Sequence, residues 1–347
     1  MDRKKLKIEN RFFQKNIKKN FLRKIVIDYN EKISSIGGSM SKVVVFGSFV
    51  VDLMARSPHL PSRSETVKGS YFQMGAGGKG FNQGVACHKA GADMAMVTKL
   101  GKDGFADVCL NVMQDLNMNK EYILTSEEKP TGIALIMVDE NTGDNQITVV
   151  PSACSDIKIE EVNSLENLIK EADYVLLQYE VNQDANERIK ELALKNNTKV
   201  IVNTAPYVEV GDDFYKNLYM VTPNEVEAEA ITGVKVDCLE NAKKAAAIFR
   251  EKGVLNVLIT LGSQGVFVSD GKKEEIIDSF KVKAVDTTGA GDAFNGGFLA
   301  SLSEGKDIWD SAVFANAVAA LSVQKLGTTP AMPSREEVDK FLSERNN

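Results

Sequence analysis

A run of small residues beside a carboxylate, residues 285–297, has the composition of a site that handles a transferring phosphate. Gly289, Ala290 and Gly291 carry at most a methyl side chain, so successive backbone N–H groups can surround an oxyanion there. A helix that begins near Gly291 would add the positive end of its dipole, and Asp292 would lie within reach of the reacting centre. The run therefore predicts phosphoryl transfer to a hydroxyl. The simpler alternative is a helix that Asp292 only caps, although two threonines and a second acid nearby exceed what a cap requires.

A second glycine-rich cluster, residues 75–83, formally matches two nucleotide-binding patterns, G-x-G-x-x-G and Gly-Lys. A P-loop needs Ser or Thr after the lysine, where this chain has Gly80. A dinucleotide-binding fingerprint directly follows the first strand, whereas residues 53–74 intervene here. We interpret the glycines as allowing the backbone to approach a polyol closely, with Lys79 and Asn82 as hydrogen-bonding partners. The alternative is a helix entry whose glycines serve packing.

Two further acids stand where a ligand is expected. Asp52 follows the strand-like run Val43 to Phe46, and ligands of open α/β sheets bind at the carboxyl ends of strands. A carboxylate there can accept hydrogen bonds from vicinal sugar hydroxyls; an exposed loop acid is the alternative. Asn224 and Glu227 are three residues apart on a predicted helix and share a face, so Glu227 could hold Mg²⁺ through water. Alternatively, the acids of this first turn are merely solvated.

The segment from Thr260 to Val266 ends one strand, turns at two glycines and begins another strand. This pattern is typical of an ordinary hairpin. It also suits a stretch of backbone that contacts the phosphates or the adenine of a nucleotide. The residues by themselves leave both interpretations open.

The elements that must position these residues alternate along the chain. Short β-branched runs recur between amphipathic helical segments, which predicts a parallel sheet with helices on both faces. Residues 53–74 and 131–150 break this rhythm and favour an antiparallel flap. A helix with Pro223 in its first turn is predicted from Thr222 to Gly233. The predicted strands of the main sheet are Val43 to Phe46, Ala95 to Thr98, Tyr174 to Gln178, Lys199 to Val202, Tyr219 to Thr222 and Val257 to Thr260.

Length and composition bound the class of protein. The chain has 347 residues, 43% of them apolar and 26% charged, so it can bury the core of one large α/β domain or two smaller ones. No stretch approaches the roughly 20 apolar residues of a membrane span, which predicts a soluble protein without a membrane partner. Scattered cysteines favour reduced core thiols and a cytoplasmic location, and the two isolated histidines argue against Ser-His-Asp catalysis. Carboxylates must therefore carry any acid–base chemistry.

The first 39 residues differ from the rest, with 11 Lys or Arg against 4 Asp or Glu, whereas 31 against 44 follow from Met40 onward. A basic arm can bind nucleic acid or direct transit, but a transit peptide is rich in Ser and this segment is not. Residues 36–39 are also what a purine-rich ribosome-binding site would encode in frame. We therefore expect residues 1–39 to be a non-native or disordered extension, Met40 to be the native start, and nucleic acid not to be a partner.

Together these residues resemble the ribokinase branch of the PfkB carbohydrate kinase family, over about Lys42 to Leu342. Residues 286–297 resemble the C-terminal signature of that family, and Gly77 to Gly80 with Asn82 resemble its N-terminal signature. The resemblance implies an α/β fold, a ribokinase-like three-layer α/β/α sandwich with a small β-sheet lid. It places a kinase domain at 40–347, with lid segments at about 53–74 and 131–150. It also implies ATP-dependent phosphorylation of a sugar and a homodimer formed through the lid.

The resemblance further implies roles for individual residues. Asp292 would be the general base. The transferring phosphoryl would be bound by N–H groups of Gly289, Ala290 and Gly291. The sugar would be held by Asp52, Gly78, Lys79, Asn82, Glu180 and Asp292. ATP would contact Asn224, Thr260, Gly262, Gly265 and Asn316, and Glu227 would organise Mg²⁺ through water. A monovalent cation, K⁺, would lie among Asp286, Thr288, Ser322, Lys325 and Gly327.

Three residues depart from the family pattern. Val50 stands where ribokinases usually carry Asn, Phe81 replaces a residue that is often small, and Ala331 stands where a Ser often supports the cation loop, so K⁺ dependence could be weaker. Val50 or Phe81 could reshape the sugar pocket. The primary hydroxyl of D-ribose is the leading acceptor, giving D-ribose 5-phosphate. Deoxyribose, another pentose, a fructose-type hexose or a nucleoside are alternatives. From other classes, the alternatives are an NAD-dependent oxidoreductase that uses Gly75 to Gly80 and a non-catalytic sugar-binding regulator, which the complete Gly289 to Asp292 run disfavours.

Overall fold

A computed structural model describes residues 42–345 of the chain, and its centre is a large β-sheet. Within the described residues, nine strands form this sheet in the order β13-β12-β11-β10-β9-β8-β1-β4-β5. The basic extension and Met40 lie outside the described residues. The strands are β1 (Val43–Phe46), β4 (Met94–Leu100), β5 (Ile123–Thr125), β8 (Tyr174–Leu177), β9 (Lys199–Val202), β10 (Met220–Val221), β11 (Asn256–Thr260), β12 (Val266–Ser269) and β13 (Glu274–Ile277).

Neighbouring strands from β5 through to β11 are parallel, and β12 and β13 extend the sheet as antiparallel edge strands. The predicted parallel sheet is therefore confirmed, and the ends of its predicted strands lie within two residues of the observed ones. The helices are α1 (Lys79–Lys89), α2 (Ala106–Asp115), α3 (Ile159–Ser164), α4 (Glu166–Glu171), α5 (Gln183–Lys195), α6 (Asp212–Tyr215), α7 (Glu225–Thr232), α8 (Leu239–Glu251), α9 (Ala290–Ser303), α10 (Ile308–Ser322) and α11 (Arg335–Glu344).

Alternate side chains of β1 enter two different cores. Val43 and Val45 belong to a core that α1, α9 and α10 close on one face of the sheet. Val44 and Phe46 belong to a second core, which α5 and α8 close on the other face. A strand that is buried on both faces is apolar throughout, as β1 is. This arrangement is the predicted three-layer α/β/α sandwich.

A second, four-stranded sheet contains the two segments that were predicted as a flap. Its order is β3-β2-β6-β7, formed by β2 (Val50–Ser57), β3 (Tyr71–Gly77), β6 (Gly132–Asp139) and β7 (Asn145–Val150). The predicted small sheet is confirmed, but the prediction that it is antiparallel throughout is wrong, since β2 and β6 are parallel. The chain between them passes through β3, α1, β4, α2 and β5 and returns in the same direction, which a hairpin cannot do.

The cysteines and the membrane prediction can be compared with the described residues. Cys87, Cys109 and Cys154 are buried and free, as predicted, whereas Cys238 is exposed. The prediction of a core thiol is wrong for Cys238, because this residue caps the start of α8 instead of lying on its buried face. Between residues 42 and 345, no helix combines the length and apolar character that crossing a membrane demands.

Candidate active site

The carboxyl ends of the parallel strands carry many of the predicted site residues. Glu180 comes soon after β8, and Asn224 comes soon after β10. Because parallel strands end at the same edge of a sheet, these residues lie along one edge. Two helices that share one core, α1 and α9, add Asn82 and Asp292.

Asp292 lies in the first turn of α9, and only 7% of its surface is exposed. Its Oδ2 accepts a hydrogen bond from Asn82 Nδ2 at 3.1 Å, and its Oδ1 accepts one from Gln83 Nε2 at 3.0 Å. Gly296, one turn further along α9, permits this close approach, since a Cβ there would lie 2.5 Å from an alanine Cβ of α1. Burial raises the pKa of Asp292, while the Lys79 ammonium and the two amides act in the opposite direction. The result is a shielded carboxylate that can accept a proton.

The backbone before Asp292 presents free donors. Gly289 caps α9 with φ 73°, a left-handed conformation that favours glycine. The Ala290 N–H donates to the Thr287 carbonyl at 3.2 Å, whereas among the described residues the N–H groups of Gly289 and Gly291 have no acceptor. A Cβ on Gly291 would meet no atom within 4 Å. Two of the three predicted donors therefore stay unpaired at the positive end of a helix, and Gly291 adjoins open space, as an anion site requires.

Glu180 holds the beginning of α1 in place. Its Oε2 accepts hydrogen bonds from Ser48 Oγ at 2.5 Å and from the Lys79 N–H at 2.8 Å. Gly78, just before the helix, has φ 90°, and a Cβ on Gly80 would lie 2.5 Å from Ser48 N. Gly78 and Gly80 thus fit the alternative interpretation of this cluster, in which glycines pack the helix entry, while close approach of the backbone to a polyol stays a prediction. The helix also follows a strand of the small sheet, so the geometry is not that of a dinucleotide-binding fold.

Four carboxylates and one ammonium interact electrostatically at this edge. Burial, followed by the charges of Glu180 and Asp292, raises the pKa of Asp52 to about 6. Burial would lower the pKa of Lys79, but Asp292, Glu180 and Glu227 raise it above its usual value. The carboxylates offer acceptors to sugar hydroxyls, and the ammonium offers positive charge to a phosphate.

Asn224 and Glu227 cap α7 reciprocally. Asn224 Oδ1 accepts from the Glu227 N–H at 2.8 Å, and a Glu227 carboxylate oxygen accepts from the Asn224 N–H at 3.0 Å. Pro223 therefore precedes the cap, and its predicted place in the first turn is wrong because the next residue is a favoured cap. Glu227 is only 8% exposed, and burial raises its pKa, whereas Glu229 is exposed. Glu227 is thus not a solvated acid of the first turn.

The residues predicted to contact a nucleotide come together at the next strands. Thr260 forms a parallel bridge with Asn224. Gly262 and Gly265, with φ 52° and 104°, flank the turn of the β11–β12 hairpin. A Cβ on Gly265 would overlap the last carbonyl oxygen of β13, and Asn316 Nδ2 donates to this same oxygen at 3.2 Å. All five predicted residues thus belong to one continuous patch.

Asp286 joins the two loops that were predicted to hold a monovalent cation. Its Oδ1 accepts from the Thr288 N–H at 2.9 Å, and its Oδ2 accepts from the Gly327 N–H at 2.9 Å. Burial would raise the pKa of Asp286, but these hydrogen bonds hold it below its usual range. The Ser322 carbonyl accepts from the Lys325 N–H at 3.1 Å. The structure therefore places Asp286 and Thr288 in one loop, and Ser322, Lys325 and Gly327 at the end of α10 and in the loop that adjoins it.

The three departures from the family pattern occupy different environments. Val50 is 4% exposed and, two residues from Asp52 on β2, shares its face of the strand. Phe81 is fully buried, and its ring packs edge-on against Phe49 with centroids 5.0 Å apart. Because Phe81 is fully buried, its side chain cannot touch a bound sugar, and no direct contact supports the prediction that Phe81 reshapes the pocket. Ala331 is buried in a short 3-10 turn after the second cation loop.

Sequence reasoning missed three residues that hold this site together. Gln83 donates to Asp292, Asn203 accepts from Gln83 at 2.9 Å, and a Cβ on Gly77 would lie 2.5 Å from Asp52 Cγ. Asn203 directly follows β9, so the rule of position that identified Asp52 could have found it. Gly77 belonged to the noted glycine cluster. Gln83 carried no separate signal.

A cavity of about 720 Å³ lies elsewhere in the molecule, lined in part by Lys199, Tyr219, Arg250 and Leu255. Lys199 begins β9 and Tyr219 precedes β10, so this cavity is at the amino ends of the strands. None of the predicted site residues lines this cavity, so it is separate from the candidate active site at the carboxyl edge of the sheet.

Phosphoryl transfer to a hydroxyl needs an anion site, a modest base and precise placement of the acceptor. The carboxyl edge of this sandwich offers each of them, and the protein is accordingly a phosphotransferase that acts on a sugar hydroxyl. The profile of the pfkB family carbohydrate kinases matches residues 40–335, and the chain belongs to this family.

Individual relatives match along most of their length. A ribokinase of Haemophilus influenzae is 37% identical over 300 residues, covering 86% of this chain and 98% of that enzyme. A deoxyribokinase of Salmonella typhi is 32% identical over 302 residues, covering 87% and 98%. The structure of an Arabidopsis thaliana ribokinase complexed with ribose and ATP superposes with a TM-score of 0.82 at 29% identity, covering 88% and 99%. The ribokinase-like fold is therefore confirmed.

Proposed function

We propose that this protein is an ATP-dependent ribokinase that phosphorylates the primary hydroxyl of D-ribose to give D-ribose 5-phosphate. The observation that carries the proposal is the placement of Asp292. Its buried carboxylate lies between two amide donors of α1 and the unpaired N–H groups of Gly289 and Gly291. The named activities of the similar ribokinases support the choice of ribose.

In this proposal Asp292 takes the proton of the sugar hydroxyl as the hydroxyl oxygen bonds to the γ-phosphorus of ATP, and ADP leaves. The raised pKa of Asp292 favours proton acceptance. Asp52, Glu180 and Asn82 orient the sugar, with Gly78 allowing close approach of the backbone. The free N–H groups before Asp292 and the Lys79 ammonium stabilise negative charge on the transferring group.

The nucleotide patch of Asn224, Thr260, Gly262, Gly265 and Asn316 would hold ATP beside this base. Mg²⁺, when bound, neutralises phosphate charge, and the residues fit an ion that keeps most of its water. Glu227 offers a buried carboxylate there, and the described residues contain no cluster of three metal-ligating side chains. Asp286, with Thr288 and the carbonyls of Ser322, Lys325 and Gly327, would hold K⁺.

We further infer a homodimer through the small sheet, acting as a lid. Large apolar side chains on this sheet are exposed, among them Phe72 at 64% and Ile147 at 55%. Such a patch is unusual on a monomer. Phe72→Asp is expected to yield monomers in analytical ultracentrifugation, and a monomeric wild type would refute the dimer. The cytoplasmic location stays a prediction.

A specific observation favours 2-deoxyribose as a second candidate. Val50 shares the face of Asp52 and offers no hydrogen bond to a hydroxyl, and a deoxyribose presents one hydroxyl fewer. The similar deoxyribokinase is consistent with this choice. If ribose is the substrate, Val50→Asn is expected to change its kcat/KM little or to raise it; a wild-type preference for deoxyribose that Val50→Asn reverses would favour the second candidate.

The decisive test is Asp292→Asn, assayed by coupled ADP release over pentoses, deoxyribose, hexoses and nucleosides, with and without K⁺. Loss of a general base is expected to lower kcat by about 10²–10⁴-fold while ATP and sugar still bind. Asp107→Asn, an exposed position on α2, is the matched control and should leave kcat unchanged. Full turnover by Asp292→Asn would refute the role of Asp292 as general base. No turnover by the wild type would favour a sugar-binding regulator.

A further inference from the structure

Gln83 lies beside the proposed base but outside the reach of a substrate. It follows Asn82 on α1, and its side chain is fully buried. Gln83 Nε2 donates to Asp292 Oδ1 at 3.0 Å, while Asn82 serves the other carboxylate oxygen. Because no surface of Gln83 is open to sugar or nucleotide, any effect on the reaction must act through the residues that it contacts, among them Asp292.

The orientation of the Gln83 amide is determined from the sheet. The backbone carbonyl of Thr222 can only accept a hydrogen bond, and Asn203 Nδ2 donates to it at 2.8 Å. The other end of the Asn203 amide, the oxygen Oδ1, therefore faces Gln83. This oxygen needs a donor, and Gln83 Nε2 supplies it at 2.9 Å. The same NH₂ group carries a second hydrogen, which is the one directed at Asp292.

The other end of the Gln83 amide is also held. Gln178, just after β8, donates from Nε2 to Gln83 Oε1 at 2.7 Å. In that orientation the buried Gln178 Oε1 has no hydrogen-bond partner among the described residues. A buried unpaired oxygen lowers the stability of the folded protein. The arrangement therefore gives Asp292 a hydrogen-bond donor and leaves the Gln178 oxygen without one. A flipped Gln83 would place an oxygen against both Asp292 and Asn203.

Several charges face Asp292 from the elements around it. Lys79 on α1 attracts a negative carboxylate, whereas Glu180 after β8 and Asp52 on β2 repel it. The Gln83 and Asn82 amides add neutral donors that favour the ionised form of Asp292. Among these groups, Gln83 alone is both uncharged and fully inaccessible.

We propose that Gln83 is a positioning residue for phosphoryl transfer, whose amide, oriented by Asn203 and Gln178, holds the Asp292 carboxylate in its ionised, acceptor-ready placement. The proposal rests on the proposed function, because it assumes that Asp292 is the base. Gln83 does not touch the substrate, so binding of sugar and ATP should depend on it little.

The test uses Gln83→Glu and Gln83→Met in the full-length chain, with Gln114→Glu as the control that adds the same charge at an exposed position of α2. Both Gln83 variants remove the donor to Asp292, and Gln83→Glu keeps an acceptor for Gln178. We expect kcat for the sugar to fall by about 10- to 100-fold, as when a hydrogen bond to a charged group is lost. The KM values for sugar and ATP should change by less than about threefold, and the acid limb of the kcat profile should move to higher pH.

The outcomes separate a positioning role from a structural one. A fall in kcat with the wild-type pH profile, or a fall explained by lost thermal stability, would overturn the proposal, as would kinetics equal to those of Gln114→Glu. If Gln83→Met does not fold, the kinetics of Gln83→Glu decide between a positioning role and a structural one. Asp292→Asn is assayed in parallel. Turnover retained there refutes the base itself, whereas an inactive Asp292→Asn with unaltered Gln83 variants refutes the role of Gln83 alone.

Discussion

Replacing Gly77 by alanine should displace the carboxylate of Asp52 and leave the rest of the molecule in place. A Cβ on Gly77 would lie 2.5 Å from both Cγ and Oδ2 of Asp52, and closer still to Oδ1. The three atoms nearest to this Cβ all belong to the Asp52 carboxylate, and Gly77 does not have a left-handed backbone that alanine would resist. The Asp52 side chain must therefore rotate away from the position in which we propose that it binds the sugar.

The size of the effect follows from these distances. Ordinary carbon contacts are about 3.5–4.0 Å, so the carboxylate must retreat by roughly 1 Å. A hydrogen bond of about 2.8 Å from a sugar hydroxyl would then exceed 3.5 Å and be lost. Hydrogen bonds to charged groups contribute about 1.5–3 kcal/mol, which corresponds to an about 10- to 150-fold loss in kcat/KM for the sugar.

Gly75→Ala is the matched control, because it makes the same change two residues earlier on β3 where a Cβ would meet no atom within 4 Å. Coupled ADP-release kinetics with sugar and ATP varied separately should show the loss in Gly77→Ala only, confined to the sugar. Thermal unfolding should place both variants close to the wild type. Equal sugar kinetics in the two variants would refute the assignment of Asp52 to the sugar site.

Two further predictions concern stability. The pKa of Asp52, about 6 in the folded protein against 3.8 ordinarily, means that the folded state binds more protons between these values, so stability falls as pH rises through this window. Asp52→Asn should therefore stabilise the protein by of order 1–3 kcal/mol at pH 8 and little at pH 4, and a gain in Tm equal at both would contradict this. In urea unfolding, Gly262→Ala, with open space around it, should cost about 1–2 kcal/mol, whereas Gly265→Ala should cost more than about 3 kcal/mol because its Cβ would overlap backbone. A similar loss in both would show that only their shared left-handed φ matters.

Much of the main sheet could be predicted because its information is local. The apolar β-branched run of β1 is buried on both faces, and this requires only its own residues and the helices expected to cover it. The small sheet was harder, because the direction in which β2 and β6 pair depends on the path of the chain between them. The predicted cap of α7, Thr222, lies two residues before the observed cap, Asn224, since both are acceptable caps and only the backbone decides between them.

By itself, the sequence determined which chemical groups are available: a glycine-rich run ahead of Asp292, acids at the ends of strands, and scarcely any histidine to compete with them. These follow from residue type and from short spacing along the chain. Only the tertiary structure decided how the groups meet. Asn82 and Asp292, 210 residues apart, share a hydrogen bond because Gly296 lets α9 approach α1. Gln83, which no sequence pattern distinguishes, is directed at the same carboxylate because the Thr222 carbonyl orients the Asn203 amide that Gln83 contacts.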